Sequence, residues 1–219
     1  MERTIRVKGI GKLSVKPDTI RINMEATYLS PNYEGALAQS ASDMQDLRNT
    51  VESAGLDSKD LKTTSFSIDS EYEGYHDKEN NYRRRFLGYK YTHFLYIQFP
   101  SDNKKLSKVL TALAKSHVNV EFSIKYTVKD TEAAKNQLLA KAVEDSKRKA
   151  EILVEASGLF LGNLISIDYS WGEIKMFSEP MNKSLMSENL IYEASYNFEI
   201  EPDDIDMEDT VTLIWEIKW

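Results

Sequence analysis

Apolar and polar residues alternate along the first thirty positions of the chain in the manner of β-strands. Residues 4–15 and 18–29 both show this alternation, which is typical of strands that bury one face. Gly9 and Gly11 interrupt the first run and predict either a bulge or a close approach of another backbone. Pro17-Asp18 separates the two runs and predicts a tight turn, so that the second strand would be the antiparallel partner of the first.

Three stretches have apolar residues spaced by three and four positions, the pattern of helices with one buried face. We predict these helices over 30–54, 101–114 and 130–157, with Gly55 and Gly158 as left-handed caps after the first and third. The small residues on the third helix indicate that it lies close against its neighbour. The predicted buried faces are Leu37, Ala41, Met44, Leu47, Val51 and Ala54; Leu106, Val109, Leu110, Leu113 and Ala114; and Ala134, Leu138, Ala142, Ser146, Ala150 and Leu153.

Six further segments have the composition of strands. Residues 61–72 and 86–99 are joined by the polar stretch 73–85 and predict a long hairpin with a flexible tip. An acidic turn is predicted at 202–209, between the last two strands. The remaining strands are predicted at 118–128, 164–171, 192–201 and 210–218.

The order of these elements predicts an α+β fold. Over 18–128 it is β-α-β-β-α-β, a split, ferredoxin-like arrangement with two helices on one face of an antiparallel sheet. The remaining residues, 1–17 and 129–219, are predicted to build a second antiparallel-sheet lobe that contains the long helix. No linker rich in glycine, proline or serine separates the lobes, so we expect one domain over 1–219 in which the two lobes pack together.

The composition limits the chemistry and the partners of the chain. Its 219 residues include no cysteine, which excludes disulfides, thiolate nucleophiles and cysteine-ligated metal centres. A net charge of −7, from 28 basic and 35 acidic residues, disfavours nucleic acid as a partner. No apolar run approaches the roughly 20 residues of a membrane span. The first residues lack the apolar core of a signal peptide, which predicts a soluble cytoplasmic protein, or a periplasmic or envelope protein if a leader was removed.

No residue pattern of an enzyme or a cofactor site stands out. The segment 9–14 resembles part of a phosphate-binding loop, but Leu13 occupies the position that requires serine or threonine, and no helix follows. His76, His93 and His117 have no metal-ligand spacing, and surface or packing roles suit them better. We therefore predict no catalytic residue, no metal and no cofactor.

Two stretches are candidate interaction surfaces. Arg83, Arg84 and Arg85 lie between aromatic residues and could clamp a phosphate or stack on bases. The simpler interpretation is a solvated hairpin tip, where the arginines serve solubility or form an ion pair with Glu71, Glu73 or Glu79. The segment 171–192 is rich in methionine and aromatic residues, which suits either docking onto a neighbouring subunit or folding back over its own sheet. Its candidate contact residues are Trp171, Met176, Phe177 and Met181.

A series of short motifs runs along almost the entire chain. They are Val7-Lys8-Gly9-Ile10-Gly11, Val15-Lys16-Pro17-Asp18, Gly55-Leu56, Asp60-Leu61-Lys62-Thr63, Phe66-Ser67-Ile68, Gly88-Tyr89-Lys90-Tyr91, Gly158-Leu159-Phe160-Leu161-Gly162, Ile200-Glu201-Pro202 and Val211-Thr212-Leu213-Ile214-Trp215-Glu216-Ile217. In this order they resemble the SIMPL-domain family, a group of unknown function. Asp203-Asp204 departs from the pattern, because relatives usually carry a glycine after the proline.

The resemblance implies an α+β fold in two lobes without established catalytic residues. Many bacterial members are exported to the periplasm or envelope, some are linked to stress tolerance, and a mammalian relative is a kinase-associated signalling adaptor. The signature residues all have structural interpretations as turns, caps, bulges or close contacts. They are Gly9, Gly11, Pro17, Asp18, Gly55, Gly88, Gly158 and Gly162.

These observations together predict a non-enzymatic assembly or partner-binding protein. We expect a homo-oligomer, because long edge strands need cover and self-association supplies it. A protein partner is also expected, whereas nucleic acid is not. Two alternatives remain open: a small-ligand or lipid binder that uses the cleft between the lobes, and a hydrolase with carboxylates at the lobe interface.

Overall fold

The computed structural model describes residues 3–170, 174–178 and 200–219. Its strands form two antiparallel sheets and it has three helices, which confirms the α+β fold. No helix in the described ranges is both long and apolar enough to cross a membrane. The elements are β1 (Thr4–Val15), β2 (Thr19–Ser30), α1 (Tyr33–Ser53), a 3₁₀ turn (Ser58–Asp60), β3 (Lys62–His76), β4 (Tyr82–Pro100), α2 (Asn103–Ala114), β5 (Val120–Thr127), α3 (Thr131–Ala156), β6 (Phe160–Asp168), β7 (Phe177–Ser178) and β8 (Ile205–Lys218).

Backbone contacts divide the chain into two units. The terminal unit contains β1, α3, β6, β7 and β8, and the central unit contains β2, α1, β3, β4, α2 and β5. The boundaries fall after Asp18, between Tyr126 and Thr127, after Ser178 and before Asp203. Each unit has its own hydrophobic core.

The central unit has the strand order of the split β-α-β-β-α-β arrangement. β2 lies between β4 and β5, and β3 is the outer strand beside β4. Ile22 is opposite Ile97 and Met24 is opposite Leu95, so these side chains share one face of the sheet. They pack with buried side chains of both helices, such as Leu47 of α1, and so the core lies between the sheet and the helices.

The buried stripe of α1 differs from the predicted one. Leu37 and Ala41, which we predicted to be buried, are exposed, and the helix begins at Tyr33 rather than at residue 30. Two polar residues, Ser40 and Asp43, lie in the buried stripe, so the spacing of apolar residues in the sequence does not reveal which face is buried. The full stripe is Ala36, Ser40, Asp43, Leu47 and Val51.

β3 and β4 form a hairpin with a longer ladder than predicted. Pairing continues to His76 opposite Tyr82, so most of the residues predicted as a flexible tip belong to strands. The connection comprises only residues 77–81, in which Asp77 Oδ1 accepts a hydrogen bond from the N–H of Asn81 at 3.0 Å. The segment is polar because the ribbon is exposed there, and an exposed strand of this kind has the composition of a loop.

The terminal unit contains a three-stranded sheet with β8 between β1 and β6. β1 pairs along its whole length with β8, from Thr4 opposite Glu216 to Val15 opposite Ile205. The prediction that β2 would be the partner of β1 is therefore wrong, and residues 205–209, predicted as part of an acidic turn, belong to β8. Acidic side chains are tolerated in this strand because they face basic or polar partners across the pair.

α3 lies against β1 through small side chains, as predicted. A Cβ built on Gly9 would be 1.9 Å from the carbonyl oxygen of Ala142, and one on Gly11 would be 2.1 Å from that of Leu138. β1 pairs with β8 without a register shift, so close approach and not a bulge accounts for both glycines. The buried stripe of α3 is Ala134, Leu138, Ala142, Ser146, Ala150 and Val154, in which Val154 replaces the predicted Leu153.

The other strand predictions differ from the structure at their ends. β5 covers Val120–Thr127 instead of 118–128, and β6 covers Phe160–Asp168 instead of 164–171. Most of the strand predicted at 192–201 lies outside the described residues. Its last two positions are described and are not in a strand.

Candidate interaction surfaces

The signature residues lie at turns, caps and close contacts of the backbone. Gly55 and Gly158 follow α1 and α3 with φ of +83° and +70°, a left-handed conformation that glycine adopts without strain. Asp18 accepts a hydrogen bond from the N–H of Lys129 at 2.8 Å, beside the buried Pro17. At the remaining glycines of the signature, a Cβ would lie within 2.7 Å of an atom of a neighbouring element: Gly9, Gly11, Gly88 and Gly162.

The outer edge of β1 is covered by side chains of α3. Two lysines of the helix, Lys141 and Lys149, donate hydrogen bonds to carbonyl oxygens of β1 at 3.3 and 3.5 Å. Between them, Asp145 Oδ2 accepts a hydrogen bond from the N–H of Ile10 at 2.8 Å. Because these three helix residues are spaced by four, they follow one face of α3 along the strand. They occupy backbone groups that a further strand would need for pairing.

Asp145 forms ion pairs with two basic residues at this covered edge. Its carboxylate lies 2.6 Å from the Lys149 ammonium and 2.8 Å from the Arg148 guanidinium. The hydrogen bonds from Lys149 and from the N–H of Ile10 hold the pKa of Asp145 well below its usual range. The carboxylate is therefore ionised and holds helix and strand together at neutral pH.

β3 forms an edge of a different kind. It is the outermost strand of the central sheet, spans the 15 residues Lys62–His76 and contains no buried residue. Within the described ranges, no strand pairs with its outer side. Such an edge presents a row of N–H and C=O groups to which another strand can bind.

Four aromatic rings follow one another on the β3–β4 ribbon and at the start of α1. In order they are Tyr72, Phe86, Tyr89 and Tyr33, and we call them the aromatic row. Successive ring centroids are 5.5, 5.3 and 5.8 Å apart, and each pair is edge to face, with interplanar angles of 65°, 74° and 86°. Arg84 lies over the ring of Tyr72, with its guanidinium carbon 4.8 Å from the ring centroid.

A β-bulge places Tyr89 in this row. The pairing of β3 with β4 skips Leu87, which is therefore an extra residue in β4. Because side chains alternate between the faces of a strand, this extra residue brings Tyr89 to the same face as Phe86. Gly88 permits the bulge with φ of +149°, and a Cβ there would lie 2.3 Å from the carbonyl oxygen of Ser30.

The three arginines predicted as a surface feature lie in β4 and differ in their partners. Arg83 pairs with Asp77 at 3.1 Å, and Arg85 pairs with Glu73. Both contacts are ion pairs, but only Glu73 is among the expected partners and Asp77 is not. Arg84 is different, since no carboxylate among the described residues pairs with it and its guanidinium stacks on the aromatic row.

The second predicted surface is described only in part. Trp171 and Met181 lie outside the described residues. Met176 is buried in the core of the terminal unit, and its carbonyl oxygen accepts a hydrogen bond from Thr127 Oγ1 at 2.7 Å, which removes it from the candidate surface. Phe177 is exposed.

Two polar pairs in the central unit have no signal in the sequence, because their partners are 48 and 30 residues apart. Tyr91 of β4 donates a buried hydrogen bond to Asp43 of α1, and burial together with this carboxylate raises the pKa of Tyr91. Thr63 Oγ1 and His93 Nε2 are 2.8 Å apart, and burial lowers the pKa of His93. In the described part of the chain, no three histidine or acidic groups come together as metal ligands.

Comparison with known proteins yields a family without an assigned activity. Residues 5–215 match the SIMPL family, described as proteins of unknown function (DUF541). The chain is also similar to the 26 kDa periplasmic immunogenic proteins of Brucella melitensis biotype 1 and Brucella abortus (strain S19), with 23% identity to each over 163 residues. This similarity covers 74% of the chain and 65% of each relative, so the chain spans slightly less than two thirds of their length. Because the family match extends over nearly all of its residues, the chain belongs to the SIMPL family.

Proposed function

We propose that this chain is a non-enzymatic protein that assembles with copies of itself and binds partner proteins. The observation that carries the proposal is the exposed outer edge of β3, Lys62–His76. A second strand can bind to such an edge through backbone hydrogen bonds. When the second strand is β3 of another copy, the two edges form a symmetric antiparallel pair.

The contrast between the two sheet edges supports this proposal. In the terminal unit, Lys141, Asp145 and Lys149 of α3 bond to the backbone groups along the outer side of β1. Proteins commonly cover or charge an edge strand in this way to prevent unwanted pairing. β3 has no such cover within the described ranges, although it is longer than β1 by three residues (15 against 12). An uncovered edge of this length fits a strand that pairs with a partner.

The non-enzymatic part of the proposal is supported by the contacts of the signature residues. Gly9 and Gly11 lie against the α3 backbone, Gly88 lies against Ser30, and Gly55 and Gly158 end helices. Each of these contacts shapes the backbone. A folding role therefore suffices to explain these five glycines, which supports the proposal that the resemblance reflects the fold and not a catalytic site.

A proline scan of β3 tests self-assembly and contains its own control. Single substitutions Ser67→Pro, Ile68→Pro, Asp69→Pro and Ser70→Pro remove one backbone N–H each, and these N–H groups point alternately towards β4 and outward. We expect the two outward positions to reduce the mass measured by light scattering after size exclusion, with little change in melting temperature. The two inward positions should lower the melting temperature. A wild-type chain that is monomeric at high concentration, or outward variants with unchanged mass, would contradict the proposal.

We also propose that the protein acts in the periplasm, the location given in the names of the two relatives. The test is fractionation of the source cells, followed by detection of the protein with an antibody. We expect the signal in the periplasmic fraction together with a periplasmic marker enzyme. A signal confined to the cytoplasmic fraction would refute this location and would leave the assembly proposal intact.

A further inference from the structure

The aromatic row is a continuous series of exposed or half-buried rings on the surface of the central unit. We propose that Tyr72, Phe86, Tyr89 and Tyr33 bind a proline-rich peptide segment in the polyproline II conformation, and that Arg84 binds an acidic residue of that segment. This goes beyond self-association, because the ligand is a different chain of different chemistry and is held by side chains rather than by the β3 backbone.

The angles between the rings favour proline over flat ligands. Successive rings of the row are inclined by 65° to 86° with centroids 5.3 to 5.8 Å apart, so no two successive rings form a common flat platform. Nucleobases bind by stacking on flat ring faces, which this arrangement does not offer in series. Grooves lined by aromatic side chains are the usual binding sites of polyproline II segments.

The exposure of the rings leaves them available to a ligand. Tyr33 is 53% exposed, Tyr72 is 46% exposed and Phe86 is 44% exposed. A contiguous group of exposed aromatic side chains is uncommon on a protein surface without a binding role. Taken end to end, the three centroid separations span at most the length that about five residues of polyproline II cover at its rise of roughly 3.1 Å per residue.

The tyrosine hydroxyls add hydrogen-bond donors to the apolar surface of the rings. A polyproline II segment forms no internal hydrogen bonds, so its carbonyl oxygens need donors from the solvent or from a partner. Three of the four residues in the row are tyrosines, each with a phenolic O–H that can donate. The row therefore offers both apolar surface and donors to the same extended peptide.

Arg84 supplies the charge that selects an acidic peptide. Arg83 and Arg85 are engaged by Asp77 and Glu73, whereas the guanidinium of Arg84 stacks on Tyr72 and has no carboxylate partner in the described ranges. A guanidinium stacked on a ring retains its in-plane N–H donors for a carboxylate. Because Arg84 lies at the Tyr72 end of the row, a glutamate or aspartate in the peptide would fix its direction.

Fluorescence polarisation with the full chain tests the proposal. The probe is a fluorescein-labelled peptide of repeated Pro-Pro-Glu triplets, about twelve residues long so that it exceeds the row at the polyproline II rise. The comparison peptides have the triplets Ala-Ala-Glu, Pro-Pro-Lys and Pro-Pro-Gln. We expect saturable binding of the Pro-Pro-Glu peptide, about tenfold weaker binding of the Ala-Ala-Glu and Pro-Pro-Lys peptides, and intermediate binding of the Pro-Pro-Gln peptide.

Variants of the row identify the binding site. Phe86→Ala and Tyr33→Ala each remove an exposed ring and should weaken binding of the Pro-Pro-Glu peptide about tenfold, the effect of a contact that dominates an interface. Arg84→Gln should weaken binding of that peptide and leave binding of the Pro-Pro-Gln peptide unchanged. Phe94→Ala is the matched control, since Phe94 is a similarly exposed aromatic residue of β4 outside the row. Circular dichroism confirms that each variant is folded.

Several results would overturn the inference. These are equal binding of the proline and alanine peptides, no saturable binding of any peptide, or unchanged binding by folded Phe86→Ala and Tyr33→Ala variants. Stronger binding of a chito-oligosaccharide than of the Pro-Pro-Glu peptide would also overturn it. Light scattering on the same variants separates this inference from self-assembly, because none of the substituted residues lies in β3.

Discussion

Gly9 of β1 and Ala142 of α3 are in such close contact that a Cβ on the glycine would lie 1.9 Å from the alanine carbonyl oxygen. The same Cβ would be 2.7 Å from Ser146, whose hydroxyl donates a hydrogen bond to the carbonyl oxygen of Val7 at 3.0 Å. Helix and strand therefore touch backbone to backbone along this line. The small residues of α3 and the glycines of β1 together make this close packing possible.

Substitution of Gly9 by alanine should destabilise the protein strongly. The added Cβ must displace backbone atoms of α3, and overpacking of this kind costs about 3 kcal/mol or more of unfolding free energy. Gly158→Ala is the control, because Gly158 has φ of +70° but nothing within 4 Å of its Cβ position. That variant should lose only about 1–2 kcal/mol through backbone strain. Urea denaturation measures both, and equal losses would show that α3 can move away from β1.

Asp145→Asn should reduce stability at neutral pH. The amide keeps an oxygen for the N–H of Ile10 but loses the charge that binds Lys149 and Arg148, and we expect a loss of about 1–2 kcal/mol. Glu144→Gln is the control, since this exposed neighbour removes the same charge without the same contacts.

The pH dependence of this variant has a defined sign. Because the pKa of Asp145 is lowered in the folded state, its contribution is complete above the unfolded pKa of about 3.9 and is lost as pH falls towards the folded value. The difference in stability between wild type and Asp145→Asn should therefore be constant from pH 7 to about 5 and shrink below about 4. A difference that does not change with pH in denaturation at several acidic pH values would refute the role of the charge.

Local sequence patterns predicted most elements of the fold but not the pairing between distant strands. The small residues of α3 predicted that this helix packs closely on its neighbour, and the glycines of β1 predicted either a bulge or a close backbone approach, since each signal lies within one element. The pairing of β1 with β8 joins residues about 200 positions apart, for example Val7 and Leu213, and no local period encodes it. Proximity along the chain made β2 the expected partner instead.

The sequence predicted a candidate surface only where neighbouring residues have an unusual composition, such as a run of arginines. The arginines of β4 were recognised as a charge run, but their separate partners depend on the register of β3 against β4. The aromatic row joins residues 33, 72, 86 and 89, which no sequence spacing relates, and Tyr89 joins it only because Leu87 is bulged. Only the folded structure brings these four residues together, and none of them has a distinctive signal in the sequence.

Tyr91→Phe should destabilise the central unit because it leaves the Asp43 carboxylate without its phenolic donor. A buried acceptor that loses a partner costs about 1–3 kcal/mol of unfolding free energy. Tyr126→Phe is a matched control, since Tyr126 is also fully buried and its hydroxyl has no hydrogen-bond partner among the described residues. That variant should be neutral or slightly more stable in thermal and urea denaturation. Similar losses in both variants would show that the Asp43 contact is not the cause.

The Tyr91 hydroxyl also predicts how stability changes at alkaline pH. Its pKa is raised by burial and by Asp43, so its contribution is complete below the unfolded pKa of about 10 and is lost as pH rises above that value. Wild type should therefore lose more stability than Tyr91→Phe between about pH 9 and 11. Parallel urea titrations at these pH values measure the difference, and superimposable pH profiles would contradict it.

Gly88→Ala should damage both the stability of the central unit and the aromatic row. The new Cβ would lie 2.3 Å from the carbonyl oxygen of Ser30 in a conformation with φ of +149°, so we expect a loss of about 2–4 kcal/mol from strain and overlap together. Relief of the overlap has to shift the bulge, and the shift moves Tyr89 relative to Phe86. Near-ultraviolet circular dichroism should therefore change along with the denaturation midpoint. Gly55→Ala is the control, because Gly55 has φ of +83° and open space around its Cβ position. This variant should show only the cost of backbone strain and an unchanged near-ultraviolet spectrum. If the near-ultraviolet spectrum of Gly88→Ala also stayed unchanged, the bulge would not position Tyr89.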